Sequence, residues 1–566
     1  MTASPTNVQS ISTGTDFLSR FESLVTSDPE RLALVHCANT KSFERITYSD
    51  LMAKISPVQQ ALSESIQSGT LFFIIHENPL EQIVFWLAAV RSGLVPGLLT
   101  PPTAKLPQAK YVKDLEDTLL AYPQASILYG DDIFVEAPSD DRFFSTSRML
   151  AGGQVRRDTA LSKTTMPDKT PAFVFQQSSG TTGLRKGVLL SERAVVNQLE
   201  AYGRAIGISD DDIIVSWLPL YHDMGFVACF LGSLFWGIPL VVASPFTWLR
   251  QPGFLFQAIE AHRGTLCWLP NFAFNVMTER VDPAKFTRES LTKLRLVVNC
   301  SEPVLPRSLA RFEEKFLPIG LATGVVSSSY AMAENVFAVT QTRIDQPVAI
   351  EAVDGVALDT SSQAIVNPGG RLFASSGSLI SGTELRIVEF GEPLPDGHVG
   401  VIEISGDSLM SGYFGVGGDS QVIDDSGWFS TGDLGYLREG ELYVIGRAKD
   451  VIIRGGRNID PARLEAAANE VDGVKAGRTA AFAMPNEDEG TEDIVIVAEI
   501  DGSGSDRDFT RIRQAIVLGC QIEANVAPQV IKLVEAGWLV KSSSGKISRA
   551  HCRAKYLSTF FQGTEQ

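Results

Sequence analysis

The sequence predicts an α/β protein. A large N-terminal domain contains two mainly parallel α/β subdomains and a β subdomain, and a small C-terminal α+β domain follows. Three observations predict this. A chain of 566 residues exceeds the size at which one hydrophobic core stops growing, so at least two domains are expected. Apolar runs of strand length alternate with segments of helical apolar spacing, the pattern of strands joined by crossover helices. Beyond Gly382 that alternation gives way to short extended pieces, and beyond Asp450 a shorter α/β pattern begins.

The elements follow in order. Leu71–Ile75 is uniformly apolar, as a strand covered on both faces is, and residues 79–92 continue as a helix with apolar positions at helical spacing. Residues 137–170 are rich in Ser, Asp, Thr and Gly and read as loop with room for a short helix. Strand signals return at 213–218, 264–269 and 294–298. Residues 227–246 hold no charge and are long enough to raise the question of a membrane span. Gly232, Gly237 and Pro239 interrupt them, and 238–242 reads as a strand, so a buried helix and strand are expected instead. Residues 384–388, 400–404 and 440–445, divided by turn formers, predict a small antiparallel β subdomain. Residues 461–470 read as a helix and 493–500 as a strand of the C-terminal domain.

Composition narrows the function classes. Hydrophobic residues make up 44% and charged residues 20%, ordinary globular usage and far from that of disorder. A formal charge of −17 disfavours nucleic acid and anionic membrane as partners, since both select a basic field. One local exception, 541–555, has Lys541, Lys546, Arg549, Arg553 and Lys555 without an acid and reads as a solvated tail. The six cysteines show no CxxC spacing, which fits a reduced cytoplasmic setting better than a metal site. The first residues lack a basic stretch followed by an apolar run, so no secretory leader is expected.

The most informative segment, 173–188, reads FVFQQSSGTTGLRKGV. An apolar strand runs into Ser178, Ser179, Gly180, Thr181, Thr182 and Gly183 and then Lys186. Glycines let backbone N–H groups approach phosphate oxygens, hydroxyls add donors, and a lysine supplies a point charge. GxxxxGK[ST] is absent, so the loop is not of the Walker type.

This loop resembles the signature of the adenylate-forming superfamily of acyl-CoA synthetases, luciferases, adenylation domains and fatty acyl-AMP ligases, and further matches span about Thr47 to Lys546. The resemblance implies ATP and Mg²⁺ as cofactors. It implies that Tyr330, with Ala331 and Met332, packs adenine, and that Glu334 and Thr182 sit near the metal. Asn299–Pro303 resembles the adenine-side segment, giving Ser301, Glu302 and Pro303 to the nucleotide. Cys300 and Ser301 depart from the usual Gly-Ala there, as Arg185 does from Pro and Ala331 from Gly. Asp433 matches the acid that accepts both ribose hydroxyls, Arg447 a second nucleotide contact, Lys449 the hinge, and Lys546 the catalytic lysine of adenylation. The implied boundaries are an adenylation domain at 1–446, a hinge at 447–450 and a lid at 451–566.

Within the superfamily three features resemble the fatty acyl-AMP ligases. Tyr221-His222-Asp223-Met224-Gly225 is similar to their segment beside the carboxylate and acyl entrance, with His222 as a catalytic candidate. Pro270-Asn271-Phe272-Ala273 resembles their acyl-pocket segment, implicating Asn271 and Phe272. The interval from Glu334 to Arg386 spans 52 positions (386 − 334), with surplus around 352–372 where these ligases carry an insertion that obstructs rearrangement for CoA transfer. The implied reaction is activation of a carboxylic, fatty or related acid to acyl-AMP, then transfer to a separate acyl carrier protein. The 541–555 stretch offers a basic surface for such an acidic carrier. An acyl-CoA synthetase and a non-catalytic nucleotide-binding protein of the same fold are the alternatives.

Overall fold

The structure is a computed structural model that describes residues 16–102, 107–152, 171–177, 186–344, 346–415, 422–454, 457–486, 491–500, 508–541 and 546–560. Its centre is a set of short parallel strands: β1 (Leu32–Cys37), β2 (Ile214–Ser216), β3 (Leu240–Ala243), β4 (Leu266–Leu269), β5 (Leu296–Cys300) and β6 (Val326–Ala331). They lie in the order β1-β3-β2-β4-β5-β6, each parallel to its neighbours. Their residues are almost all buried, because helices cover both faces of a parallel sheet.

A second, four-stranded parallel sheet orders Val95–Leu98, Leu71–Ile75, Ser126–Tyr129 and Phe143–Ser145. The helix Pro79–Arg91 leaves it with Asn78 as N-cap, whose side chain accepts the Leu80 amide at 2.9 Å, and Pro79 in its first turn. Trp86 on that helix is fully buried and meets Phe226 and Phe230 edge-on, with centroids 5.3 and 5.4 Å away. This aromatic contact fastens the helix to the uncharged stretch, which forms a π-helix (Met224–Leu231), the helix Gly232–Trp236 and β3. Among the described residues no helix is long and apolar enough to cross a membrane.

Two expectations change at the antiparallel end. The pieces after Gly382 do pair antiparallel, but they are continuous with the central sheet. From β6 the sheet passes through β7 (Ala338–Gln341) and β8 (Ser378–Leu379), and beyond these lie β9 (Thr383–Glu389), β10 (Gly400–Gly406), β11 (Phe429–Arg438) and β12 (Glu441–Arg447), in the order β7-β8-β12-β11-β10-β9. The join is β8, whose two residues have no apolar alternation to read. Of 137–170, Phe143–Ser145 form a strand where loop is expected, Thr146–Leu150 form the short helix for which that reading leaves room, and 153–170 lie outside the described residues.

The C-terminal unit has its own sheet, Val474–Asn486, Thr491–Ile500 and Val530–Val534. Alternate residues of its middle strand serve opposite faces: Ile494, Ile496 and Ala498 pack with Leu464 and Ile516, and Val495 and Val497 with Phe482 and Tyr556. The solvated-tail reading of 541–555 does not hold. Arg549 opens a helix (Arg549–Phe560) and is bound by Glu465 at 2.8 Å and Asp450 at 3.0 Å, while the Lys555 ammonium reaches the Trp538 carbonyl at 2.6 Å. Lys541 and Arg553 remain exposed, too few for a continuous basic surface. The acids that neutralise Arg549 are distant in sequence, so the local charge run misleads.

The surplus segment is ordered. Ile350–Val353 and Arg371–Ala374 form a separate antiparallel pair, bridged by the helix Gly355–Ser361 with Asp354 capping Val356 and Ala357 at 2.9 Å. Asp359 on that helix takes Arg371 bidentately at 2.8 and 2.9 Å and Arg457 of the C-terminal unit at 2.8 Å.

Candidate active site

The candidate residues gather at the carboxyl ends of the parallel strands, where open α/β sheets hold their ligands. Beyond β2, the turn 217–223 brings His222 Nδ1 to 2.5 Å from Asp223 Oδ1, and Asp223 also accepts the Met224 amide at 2.8 Å. Burial pushes the Asp223 carboxyl up, but His222, Lys546 and the Met224 amide outweigh it and hold it below its usual value. Gly225 is the second residue of the π-helix, where a Cβ would stand 2.5 Å from the Pro219 carbonyl and 3.0 Å from Leu218 Cβ. Gly225→Ala is therefore expected to displace the His222 turn at a cost of about 1–3 kcal/mol, read as a lower melting temperature together with reduced adenylation.

Beyond β5, Ser301 adopts a left-handed conformation (φ 69°). Its carbonyl accepts a hydrogen bond from the Lys546 ammonium, across 245 positions of sequence. Glu302 accepts the Phe272 amide at 2.8 Å; burial raises its carboxyl, opposed by Lys546 and the Phe272 amide. Asn271 is a brace, its Oδ1 taking the Asn299 side chain at 3.0 Å and the Leu305 amide at 3.3 Å. Pro303 is exposed. The Cys300 thiol is buried and pushed up to about 12 by that burial, so it stays protonated and inert.

From β6, the Tyr330 hydroxyl donates to Asp433 Oδ2 at 2.6 Å, and Arg447 Nε approaches Asp433 Oδ1 at 2.9 Å. Asp433 is buried and sits on β11 opposite Arg447 on β12. Ala331 and Met332 are half-buried beside them, and Lys449 is exposed. Ser178, Ser179, Gly180, Thr181, Thr182 and Gly183 lie outside the described residues. Lys186, just after them, places its ammonium 4.4 Å from the Tyr413 ring centre.

Tyr413 was not among the sequence candidates. Its hydroxyl donates to Glu334 Oε1 at 2.7 Å, and its strand, Tyr413–Phe414, straps Gly187–Leu190. One ring thus ties the acid of one expected metal contact to the lysine that follows the expected phosphate loop. Only a tyrosine 79 positions from Glu334 in a two-residue strand marks it, and no local pattern could have singled it out.

The fit to Mg²⁺ can be judged from Glu334. Burial raises its carboxyl, and among the described residues no group of three or more His, Cys, Asp or Glu could hold a metal. A lone, partly desolvated carboxylate fits Mg²⁺, which is commonly held by one or two carboxylates together with substrate phosphates. Tyr413→Phe removes a hydrogen bond to that carboxylate and keeps the ring under Lys186. It is expected to shift the magnesium concentration for half-maximal pyrophosphate exchange severalfold while the melting temperature stays near wild type.

Comparison with known proteins identifies the family. The model of the family described as AMP-binding enzyme matches residues 21–414. A Mycobacterium tuberculosis (strain ATCC 25618 / H37Rv) ligase, Rv1013, is 34% identical over 67% of this chain and 70% of its own. The medium-chain-fatty-acid–[acyl-carrier-protein] ligase JamA of Moorena producens (strain JHB) is 27% identical over 91% of this chain and 90% of its own. Other relatives are named both as fatty-acid–CoA ligase and as long-chain-fatty-acid–AMP ligase. A structure from a study of fatty acyl-adenylate ligases from E. coli and L. pneumophila superimposes with TM-score 0.85 at 26% identity, covering 97% of this chain and 99% of the other. With a family model matched over most of its length, and a C-terminal lysine brought to the carboxyl ends of the parallel strands, the chain belongs to the AMP-binding enzymes of the adenylate-forming superfamily.

Proposed function

We propose that this enzyme activates a fatty or related carboxylic acid as acyl-AMP, releasing pyrophosphate, and passes the acyl group to the phosphopantetheine thiol of a separate acyl carrier protein in the cytoplasm. The observation that carries the reading is the approach of Lys546 to the Ser301 carbonyl, where its charge acts on both Asp223 and Glu302. A carboxylate oxygen of the acid attacks the α-phosphorus of ATP, and the bond from that phosphorus to the pyrophosphate oxygen breaks. Lys546 sits to neutralise the charge that builds on the phosphates. Asp433 with Arg447 suits the ribose hydroxyls, Tyr330 the base, and Lys186 with residues 178–183 the phosphates. Mg²⁺, bound through Glu334 and Thr182, would supply charge neutralisation on the phosphate oxygens. His222, oriented by Asp223, faces the carboxylate. In the second step the thiol sulfur bonds to the acyl carbon, AMP leaves with the electron pair, and the thiol proton passes to solvent.

A separate carrier as acceptor is supported by the carrier ligase among the relatives and by the Asp359–Arg457 contact between the surplus segment and the C-terminal unit. That contact opposes rotation about a hinge at 447–450, which transfer to CoA requires on this reading. Incubation with ATP, an acid panel and either CoA or a holo-carrier decides the matter. Acyl-carrier formation with little acyl-CoA is expected. Robust acyl-CoA formation would favour the synthetase alternative, and no adenylate from any acid the non-catalytic one.

A further inference from the structure

The C-terminal unit meets the segment that follows β5 through the Lys546 ammonium, which donates to the Ser301 carbonyl. It meets the same segment again through Glu470, whose Oε2 lies 2.9 Å from Arg307 and whose Oε1 lies 3.5 Å from Arg311. Both arginines stand on the helix Pro306–Phe316, which comes soon after Ser301. Glu470 is the C-cap of the helix Pro461–Asn469. That helix also carries Glu465, which takes Arg549 with both oxygens at 2.8 Å, and Arg549 opens the helix that follows Lys546. One helix and one bidentate ion pair therefore join Glu470 to the residues just beyond Lys546.

These charges stand at the wrong ends of their own helices. A helix C-terminus carries a partial negative charge and disfavours an anion, and an N-terminus disfavours a cation. Glu470 caps a C-terminus whose last turn holds no base, and Arg307 lies in a first turn that holds no acid. Arg307 and Arg311, at i and i+4, also repel each other. Each side chain is thus unfavourably placed within its own unit. Across the junction the sign reverses: the carboxylate adds to the negative helix end, the guanidiniums add to the positive one, and the two ends attract. Charges that cost stability inside each unit and return it only between the units are suited to hold them in one orientation. With side-chain exposures of 65% and 50% for the arginines and 42% for Glu470, the contact is open to screening by salt.

We propose that Glu470, held by Arg307 and Arg311, is a positioning residue for adenylation that sets the C-terminal unit in the orientation from which Lys546 enters the site. The proposal rests on the adenylation reading above and adds to it the contact that delivers the lysine. The test is acid-dependent ATP–pyrophosphate exchange by the full-length enzyme with butanoate, decanoate and hexadecanoate. Wild type is compared with Glu470→Arg and with the reversed triple variant Arg307→Glu, Arg311→Glu, Glu470→Arg, with melting temperatures measured in parallel. Each exposed pair is weak alone, but Glu470→Arg turns both attractions into repulsions, so kcat is expected to fall about fivefold or more. KM for ATP should stay near wild type, because the lysine acts on the transition state. The melting temperature is expected not to fall, since a cation suits a helix C-terminus. The triple variant restores opposite signs across the junction and should recover kcat to within about twofold of wild type. The deficit of Glu470→Arg should also shrink in about 0.5 M salt, where exposed charges are screened. Undiminished kcat in Glu470→Arg overturns the proposal. So does a triple variant that melts normally without recovery; if that variant melts low, a Glu470→Arg deficit that salt leaves unchanged overturns it instead. Exchange by wild type with none of the acids sinks the adenylation reading, and this proposal with it.

Discussion

Lys546→Ala is expected to lower acid-dependent ATP–pyrophosphate exchange by about 10²–10³-fold, the usual loss when one preorganised charge or donor is removed from a transition state. The ammonium is carried by the C-terminal unit, yet it meets the Ser301 carbonyl at the end of β5, beside Asp223 and Glu302, whose carboxyls both respond to it. Alanine removes the charge and leaves the two cores of the C-terminal unit intact, since Lys546 belongs to neither. The melting temperature should therefore stay close to wild type while exchange collapses. A variant with near-normal exchange would remove Lys546 from the reaction and with it the observation on which the proposed function rests.

What the sequence revealed follows the range of the interactions involved. Leu71–Ile75 was legible because a strand buried on both faces must be apolar throughout, and all five of its residues are buried. The uncharged stretch at 227–246 was legible as core because Gly237, at φ 74°, ends a helix as its sequence position suggests. Partners far apart in sequence were not legible. Arg549 looked like a surface charge because Glu465 and Asp450 lie 84 and 99 positions earlier. Tyr413 carries no local signature, since it is defined by what it touches. The antiparallel strands were read individually, but their fusion to the parallel sheet depends on β8, a pairing without a hydrophobic pattern.

Asp359→Ala is expected to have the other large effect, destabilising the junction between the surplus segment and the C-terminal unit by about 3–5 kcal/mol, the cost of removing one partner of a buried ion pair. Asp359 is 4% exposed and holds Arg371 with both oxygens and Arg457 with one. Arg463 stands nearby with both Nη atoms buried and without a hydrogen-bond partner among the described residues, and burial, with Arg371 next, lowers its guanidinium to about 10. Without the carboxylate, three guanidinium groups are left close together, so the C-terminal unit loses an attraction and gains a repulsion at the same place. Asp359→Asn keeps the shape and removes the charge, which separates electrostatics from packing. If this contact opposes rotation of the C-terminal unit, the Asn variant should retain adenylation, because Lys546 is held elsewhere, and raise the ratio of acyl-CoA to acyl-AMP formed when CoA is present. Differential scanning calorimetry and chromatographic separation of the products measure the two effects independently. A destabilised variant with an unchanged product ratio would make Asp359 a strut of the fold alone, and discrimination against CoA would then need another cause.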